Sequence, residues 1–353
     1  MCKKKNTEYR IMKAVILDGI GSCRLTDVPR PRVIKERDVL LKVEAVGLCG
    51  SDVHYYKEGR IGEQAVEFPF IIGHECAATA AEVGRKVKRI KTGDKVVVDP
   101  AVSCGACEQC RAGRENTCRN LRFLGCPGQM EGCLCEYIIM PEANCYLAEK
   151  LTTGQAVLCE PMAIAVYAAE QSGLKENDSC AILGAGPIGL SVLLCSGLKT
   201  KKIYVTDKVE ERLQAAANNG ALWTGNPKRQ DIAKEILKSE PTGVDVVFEC
   251  AGQQETIDEA IEILRPGGRL MVVGIPQQQR ISFDIHAMRR KEITIINVRR
   301  QNDCTRKAIS LIVKKKVDVD FMPTHKFKPE QASEAFEMVS EYRDGVIKAV
   351  IEF

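Results

Sequence analysis

Residues 180–189 read Cys-Ala-Ile-Leu-Gly-Ala-Gly-Pro-Ile-Gly, an apolar segment that ends in a glycine-rich turn. The apolar part predicts a buried strand, and the G-x-G-x-x-G pattern after it predicts a tight turn that opens a helix. The first glycine permits the turn, the second lets the backbone approach a pyrophosphate, and the third allows close helix packing. The N–H groups and positive dipole end of the helix suit phosphates. This stretch predicts a dinucleotide-binding turn.

The segments that follow alternate between strands and helices. The predicted strands are 180–183, 203–206, 244–248, 270–273 and 293–296, and the predicted helices are 210–219 and 255–264. Such an order predicts an α/β fold with a doubly wound parallel sheet. Residues 179–198 carry no charge, but the glycine turn near their centre favours strand, turn and helix over a membrane span.

Asp207 lies where the second of these strands ends. Its carboxylate is suited to accept a hydrogen bond from a ribose 2′-OH and to repel a 2′-phosphate, which favours NAD over NADP. The positive charge of the adjacent Lys208 weakens this preference for NAD. The alternative interpretation is that Asp207 is an ordinary turn residue at the end of a strand.

The segments before and after this region have a different character. Residues 13 to about 160 read as short strands separated by Gly, Pro and Asp turns, which predicts a β-rich domain. Residues 1–11 are basic and read as a tail. The residues after 302 include an amphipathic stretch at 330–342 and are too few for a third domain, so we expect them to pack against the first.

Two groups of metal-ligating residue types stand out. Cysteines in a C-x2-C-x2-C-x7-C loop favour a closed, structural zinc site over unpaired thiols or two disulfides. These cysteines are Cys104, Cys107, Cys110 and Cys118. Upstream, Cys49, His74 and Glu75 offer a thiolate, an imidazole and a carboxylate from separate turns, which suits an open, three-ligand zinc site. Taken singly, they read as a buried thiol, a core histidine and a surface acid.

Composition narrows the class of protein. The chain has 353 residues, 45% hydrophobic and 28% charged, with a net charge of +4 spread along its length. This charge gives no electrostatic reason to expect a nucleic-acid or membrane partner. Seventeen cysteines without a signal peptide predict a reducing, cytoplasmic location.

Together with these features, the stretches CGSDVHYYKEGRIG (49–62) and PFIIGHE (69–75) resemble the zinc-dependent medium-chain dehydrogenases. Within that family they are similar to the sorbitol (L-iditol) and xylitol dehydrogenases, and the resemblance covers residues 12–353. It implies a GroES-like catalytic domain at 12–162, to which 302–353 return, and a Rossmann domain at 163–301. The active site would lie in the cleft between them.

The resemblance also implies residue roles. Cys49, His74 and Glu75 would ligate a catalytic zinc, and Glu160 would be a close neighbour or itself a ligand at some stage. Ser51 would pass the substrate proton towards the nicotinamide ribose and His54. The expected cofactor-binding residues are Gly184, Gly186, Pro187, Ile188, Gly189, Asp207, Arg212 and Gly274. The expected substrate residues are Tyr55, Arg299 and Arg300.

The chain departs from the family pattern at two places. Ala78 replaces a usual glycine, and Val298-Arg299-Arg300 stands where polyol dehydrogenases carry Phe-Arg-Tyr. If the strand continues, Arg300 points to solvent or to a partner subunit. If the chain turns, Arg300 reaches the cleft, where a guanidinium would suit an acidic or phosphorylated polyol.

The expected function is the oxidation of a secondary hydroxyl of a polyol to a ketose, with NAD as hydride acceptor and two zinc ions per chain. L-threonine 3-dehydrogenase and a dehydrogenase of acidic or phosphorylated sugar alcohols are the enzymatic alternatives. A non-catalytic binding or structural relative is the alternative of another class. A homotetramer, or a homodimer, is the expected assembly.

Overall fold

The structure is a computed structural model that describes residues 10–32 and 35–353. Residues 1–9 of the predicted tail lie outside the described residues. Within the described part, no helix has the length and apolar character needed to cross a membrane.

The first part of the chain is mainly β-structure. Its strands are β1 (Ile11–Gly19), β2 (Ser22–Pro29), β3 (Asp38–Gly47), β4 (Arg60–Ile61), β5 (Gln64–Ala65), β6 (Glu75–Val83), β7 (Lys95–Val98), β8 (Ala101–Val102), β9 (Arg122–Phe123), β10 (Tyr137–Pro141) and β11 (Cys145–Leu147). Its helices are α1 (Gly50–Glu58), α2 (Glu108–Arg111) and α3 (Thr153–Val157). Its core is formed by the inward-facing Val, Leu, Ile and Ala residues of the strands.

The middle part alternates helices and strands. It contains α4 (Cys159–Ser172), β12 (Ser179–Leu183), α5 (Pro187–Ser196), β13 (Lys202–Thr206), α6 (Glu210–Asn218), β14 (Trp223–Gly225), α7 (Ile232–Ser239), β15 (Val244–Glu249), α8 (Gln254–Ile263), β16 (Leu264–Val272), α9 (Ile285–Lys291), β17 (Thr294–Asn297) and α10 (Thr305–Val313). The six strands found in this described region pair in parallel, in the order β14-β13-β12-β15-β16-β17. The predicted doubly wound sheet is confirmed.

The last part of the chain contains β18 (Pro323–Phe327), α11 (Ala332–Glu341) and β19 (Lys348–Glu352). Strand β19 pairs antiparallel with β3, so the end of the chain joins the sheet built near its beginning. Helix α10, by contrast, contacts α4. The boundary predicted at residue 162 falls inside α4.

The lack of charge between residues 179 and 198 follows from burial. All five residues of β12 are buried, because the strand lies between β13 and β15 in a sheet that helices cover. Gly184 adopts φ +102° as the chain leaves β12, a conformation that residues with a Cβ disfavour. A Cβ on Gly189 would lie 1.8 Å from the Gly184 carbonyl oxygen, so only glycine permits this close turn.

Candidate metal centres and nucleotide-binding turn

Sheet register brings three ligand-type side chains together. Gly47 on β3 lies opposite Glu75 on β6, so Cys49, just after β3, lies beside His74 and Glu75. One ligand atom from each of the three side chains lies within 4.8 Å of the others. A cluster of thiolate, imidazole and carboxylate is the kind of ligand set that holds zinc with a position left open.

Asp52 ties two of these ligands together, and the sequence analysis missed this role. Its two carboxylate oxygens accept from the Cys49 N–H at 3.0 Å and the Gly73 N–H at 3.2 Å, and one lies 3.6 Å from His74 Nδ1. Asp52 is fully buried. A carboxylate behind a histidine ligand fixes the orientation of its ring. The signal in the sequence was an acid three residues after Cys49, which is the third position of the helix that begins at Gly50.

Lys348 is the second residue that the sequence analysis missed. Its ammonium donates to both carboxylate oxygens of Glu75, at 2.6 and 2.8 Å, and to the Leu48 carbonyl at 3.0 Å. Both charged side chains are 1% exposed. The only local signal was one lysine among apolar residues, in Val346-Ile347-Lys348-Ala349-Val350.

The charges around His74 favour a positively charged group at this cluster. Burial by itself lowers the pKa of His74, but the Asp52 carboxylate and the Cys49 thiolate raise that pKa well above its ordinary value. Burial raises the pKa of Glu160, on α4, to about 7. Its Oε2 finds no hydrogen-bond partner among the described residues. The neighbouring Cys159 is a buried thiol that donates to the Gln155 carbonyl, and burial raises its pKa.

The four-cysteine loop has the dimensions of a tetrahedral zinc site. With a Zn–S bond of about 2.3 Å, the sulfur atoms of such a site are about 3.8 Å apart. Here Cys107 Sγ is 3.5 Å from Cys110 Sγ and 3.9 Å from Cys118 Sγ, and Cys104 Sγ is 4.0 Å from Cys110 Sγ. The N–H groups of Ala106 and Cys107 donate to Cys104 Sγ and lower the pKa of that thiol to about 6. The loop therefore fits zinc.

The nucleotide-binding turn is braced by the residues that were expected to bind the cofactor. Asp207 accepts from the Ala185 N–H at 2.7 Å and the Val209 N–H at 2.8 Å. Arg212 is buried and donates through Nε and Nη2 to the Val346 carbonyl, at 3.0 and 2.6 Å. Its Nη1 lies 3.7 Å from where a Cβ on Gly186 would be, beside the turn.

The remaining expected cofactor residues surround the same turn. Pro187 is the first residue of α5, and Ile188 follows it. Gly274 follows β16, where a Cβ would lie 2.5 Å from the Gly252 backbone nitrogen. Glycine at this position allows the two loops to approach closely.

A cleft of about 180 Å³ separates the two folded parts near these centres. His54, Glu58 and Arg60 line one side, and Pro276, Gln277 and Gln279, after β16, line the other. Ser51 and His54 both lie on α1, and His54 Nδ1 is 3.7 Å from Glu58. The helix that follows the ligand Cys49 therefore faces the nucleotide-binding part.

The expected substrate residues separate into inward-facing and outward-facing side chains. The Tyr55 hydroxyl is 3.7 Å from Cys126 Sγ in a buried contact. Arg299 is exposed. Arg300 turns inward, with its guanidinium carbon 3.6 Å from the centre of the Phe123 ring. The solvent-facing orientation considered for Arg300 is not the one observed.

Two family models match the chain. One, for the alcohol dehydrogenase GroES-like domain, matches residues 35–150, and the other, for zinc-binding dehydrogenases, matches residues 187–314. Sorbitol dehydrogenase from Bacillus subtilis is 36% identical over 343 residues, covering 96% of this chain and 97% of that protein. L-idonate 5-dehydrogenase from Vitis vinifera is 32% identical over 309 residues, covering 85% of this chain and 84% of that protein.

A solved structure shows the same fold. An oxidoreductase/dehydrogenase of unknown specificity from Escherichia coli, described as involved in membrane biogenesis, superimposes with a TM-score of 0.89. It is 32% identical and matches 97% of this chain and 99% of its own. The expected two-part architecture, a GroES-like domain with a Rossmann domain, is confirmed.

The two clusters predict separable effects on zinc content. We expect two zinc ions per chain in the wild type and one in Cys49→Ala or His74→Ala, with turnover lost and the fold retained, because the four-thiolate loop is independent. Cys110→Ser should lose the other zinc and melt at a lower temperature, because structural zinc contributes folding free energy. Elemental analysis and thermal melting measure both effects.

Cys23→Ser, outside both clusters, is the control and should keep two zinc ions. Full zinc content and rate in Cys49→Ala would contradict the assignment of the open site.

Removal of the Lys348 ammonium tests the buried ion pair. Lys348→Met should lower the stability of the chelator-treated protein by about 3 kcal/mol, because it leaves the Glu75 carboxylate buried and unpaired. Lys326→Met is the matched control, since Lys326 forms an exposed pair with Glu352 at 2.8 Å and should contribute less than about 1 kcal/mol. Denaturant unfolding measures both variants. Equal, small effects would show that Glu75 does not depend on Lys348.

Proposed function

The chain belongs to the zinc-dependent medium-chain dehydrogenases, and on that basis we propose that it oxidises a secondary hydroxyl of a polyol to a ketone, with NAD as the hydride acceptor. The observation that carries the proposal is the Cys49, His74 and Glu75 cluster, held within 4.8 Å at the start of a helix that lines the cleft. The relatives named for sorbitol and L-idonate point to polyhydroxylated substrates.

Each bound group would supply a distinct part of the chemistry. Zinc held by this cluster would lower the pKa of the substrate hydroxyl, and NAD on the glycine turn would accept the hydride. The chain itself contributes orientation. Asp52 anchors the Cys49 backbone and its carboxylate lies 3.6 Å from His74 Nδ1, while Lys348 holds the Glu75 carboxylate. Glu160, whose pKa burial raises to about 7, can gain or lose a proton near neutral pH beside them.

We propose that the proton released from the substrate leaves through Ser51 and His54. Both residues lie on α1, and His54 lines the cleft with its Nδ1 3.7 Å from the exposed Glu58. An imidazole at the mouth of a cleft is suited to exchange a proton with water. Ser51 lies one turn nearer the metal ligand Cys49, which is where a relay would begin.

The assembly and the location stay predictions. A homotetramer, or a homodimer, is proposed from the family resemblance. The cytoplasm is proposed because thiol ligands bind zinc only when they are kept reduced.

A substrate panel tests the function. With NAD, the wild type should form NADH from sorbitol or xylitol, and Cys49→Ala should form none above background, because the metal ligand set is broken. Absorbance of NADH at steady state measures kcat/KM. L-threonine is included, since preference for it over every polyol would favour the amino-acid dehydrogenase alternative. Two bound zinc ions without turnover of L-threonine or of any polyol, neutral or anionic, would favour a binding protein instead.

The preference for NAD is tested at Asp207. Asp207→Ser removes the charge that would repel a 2′-phosphate, so the ratio of kcat/KM for NAD to that for NADP should fall. Because Asp207 also braces the turn through the Ala185 and Val209 N–H groups, we expect Asp207→Ser to weaken both cofactors in absolute terms. Asp207→Asn is the matched variant that keeps an acceptor for the turn. An unchanged NAD/NADP ratio in both variants would mean that Asp207 is not at the ribose.

A further inference from the structure

Arg300 has an unusual backbone conformation for its residue type. It adopts φ +54°, in the left-handed region that favours glycine and asparagine. The turn occurs directly after β17 and directs the side chain inward, while its neighbour Arg299 is exposed. A strained conformation persists only where the surrounding contacts enforce it.

The contacts that enforce this turn come from the four-cysteine loop. Asn116 Nδ2 donates to the Arg299 carbonyl at 3.0 Å. Asn302 Nδ2 donates to the Gly113 carbonyl at 2.7 Å, and its Oδ1 accepts from the Glu115 N–H at 3.2 Å. The segment on both sides of Arg300 is thus held by residues between Cys110 and Cys118. The four-cysteine loop therefore helps to hold the turn that directs the Arg300 side chain inward.

The inward-facing guanidinium lacks a full set of partners. Its flat face covers the Phe123 ring at 3.6 Å, yet its buried Nη1 finds no hydrogen-bond partner in the described part of the chain. Burial and the neighbouring Arg299 lower the pKa of Arg300 to about 10, which leaves it charged at neutral pH. A buried, charged donor without an acceptor is costly, and most such groups are satisfied in folded proteins.

Among the described residues, no side chain accepts a hydrogen bond from Arg300 Nη1. Tyr55 and Cys126 bond to each other, at 3.7 Å. Glu160 lies near enough to favour the charged form of Arg300, but its own Oε2 is also unpartnered, so the two groups do not form a pair. Arg300 Nη1, a donor, and Glu160 Oε2, an acceptor, therefore both lack a hydrogen-bond partner among the described residues. Such an arrangement is suited to a ligand that carries both hydroxyl and anionic groups.

Arg300 shares its surroundings with the metal ligands. The Phe123 ring that it covers is also 5.3 Å from the His74 ring, centre to centre. Tyr55 lies on α1, two turns or less from Cys49. The Arg300 guanidinium and the His74 ring therefore both lie against the Phe123 ring, which places Arg300 close to the metal-binding cluster.

We propose that Arg300 is a specificity-determining residue that binds a carboxylate or phosphate at the end of the substrate away from the reacting hydroxyl. The proposal rests on the proposed polyol dehydrogenase function and narrows its substrate class to polyols that carry an anionic group. A guanidinium pairs with either anion through charge-assisted hydrogen bonds, and the pair is stronger where water is excluded.

The test compares neutral and anionic substrates in matched variants. Steady-state kcat/KM is measured with NAD for sorbitol, for gluconate as the carboxylate arm and for sorbitol 6-phosphate as the phosphate arm. The wild type should prefer at least one anionic substrate, and Arg300→Gln should reduce the ratio of anionic to neutral kcat/KM by about tenfold or more. Arg300→Lys should fall between them, since it keeps the charge but not the planar fork. The anionic substrate whose kcat/KM falls in Arg300→Gln shows whether Arg300 binds a carboxylate or a phosphate.

Arg306→Gln is the control, because this exposed arginine on α10 also lies beside an aromatic ring, with its guanidinium 5.6 Å from Tyr146. It should leave the ratio unchanged. Calorimetry adds a readout independent of turnover: the responding anion should bind the zinc-loaded wild type and not Arg300→Gln, with both folded by thermal melting.

The outcomes separate the two proposals. A wild type that oxidises sorbitol at least as well as both anionic substrates, with a ratio unmoved in Arg300→Gln, overturns the anion site and leaves the polyol function standing. Equal losses on all substrates would also overturn it, because they indicate a structural role only. If no polyol is oxidised, the dehydrogenase proposal fails. In that case, binding of the anion that depends on Arg300 would still support the anion site. The absence of such binding would overturn the anion site as well.

Discussion

A fully buried ion pair connects the end of this chain to its beginning. Lys348, on the last strand, donates to both carboxylate oxygens of Glu75, and neither side chain is more than 1% exposed. Two charges can be buried only when each is paired and the remaining donors are satisfied, and here the Leu48 carbonyl takes the third position. Since Glu75 is one of the three clustered residues, the geometry of the candidate metal centre depends on β19 pairing with β3 in this register.

The same dependence on distant contacts recurs at the nucleotide-binding turn. Arg212, on α6 after the second strand of the parallel sheet, donates to the Val346 carbonyl, just before Lys348. The segment 346–348 thus contacts Arg212, which lies beside the glycine turn, through Val346, and contacts Glu75 through Lys348. One short segment therefore connects residues next to the candidate nucleotide-binding turn and the candidate metal centre.

The four-cysteine loop has a structural role. Its set of four thiols suggests such a role, and its hydrogen bonds show which segment of the chain it holds. Residues 113–116 of this loop form hydrogen bonds with Arg299 and Asn302, on both sides of Arg300. A loop that is remote in sequence from residue 300 thereby helps to hold the turn that directs Arg300 inward.

Local sequence determined much of this protein. The glycine turn, the doubly wound parallel sheet and the four-cysteine loop were predicted because their physics depends on near neighbours: φ at Gly184, close packing at Gly189, and cysteine spacing. The set of Cys49, His74 and Glu75 was predicted from residue types and the family resemblance, since strand register is what brings these residues together. What only the tertiary structure decided was how remote residues meet. The pairing of Lys348 with Glu75 depends on strand register, and the hydrogen bond from Arg212 to Val346 and the inward turn of Arg300 depend on contacts between residues more than a hundred positions apart. A one-residue change of register would send a strand side chain to the opposite face, so no local pattern can specify such contacts.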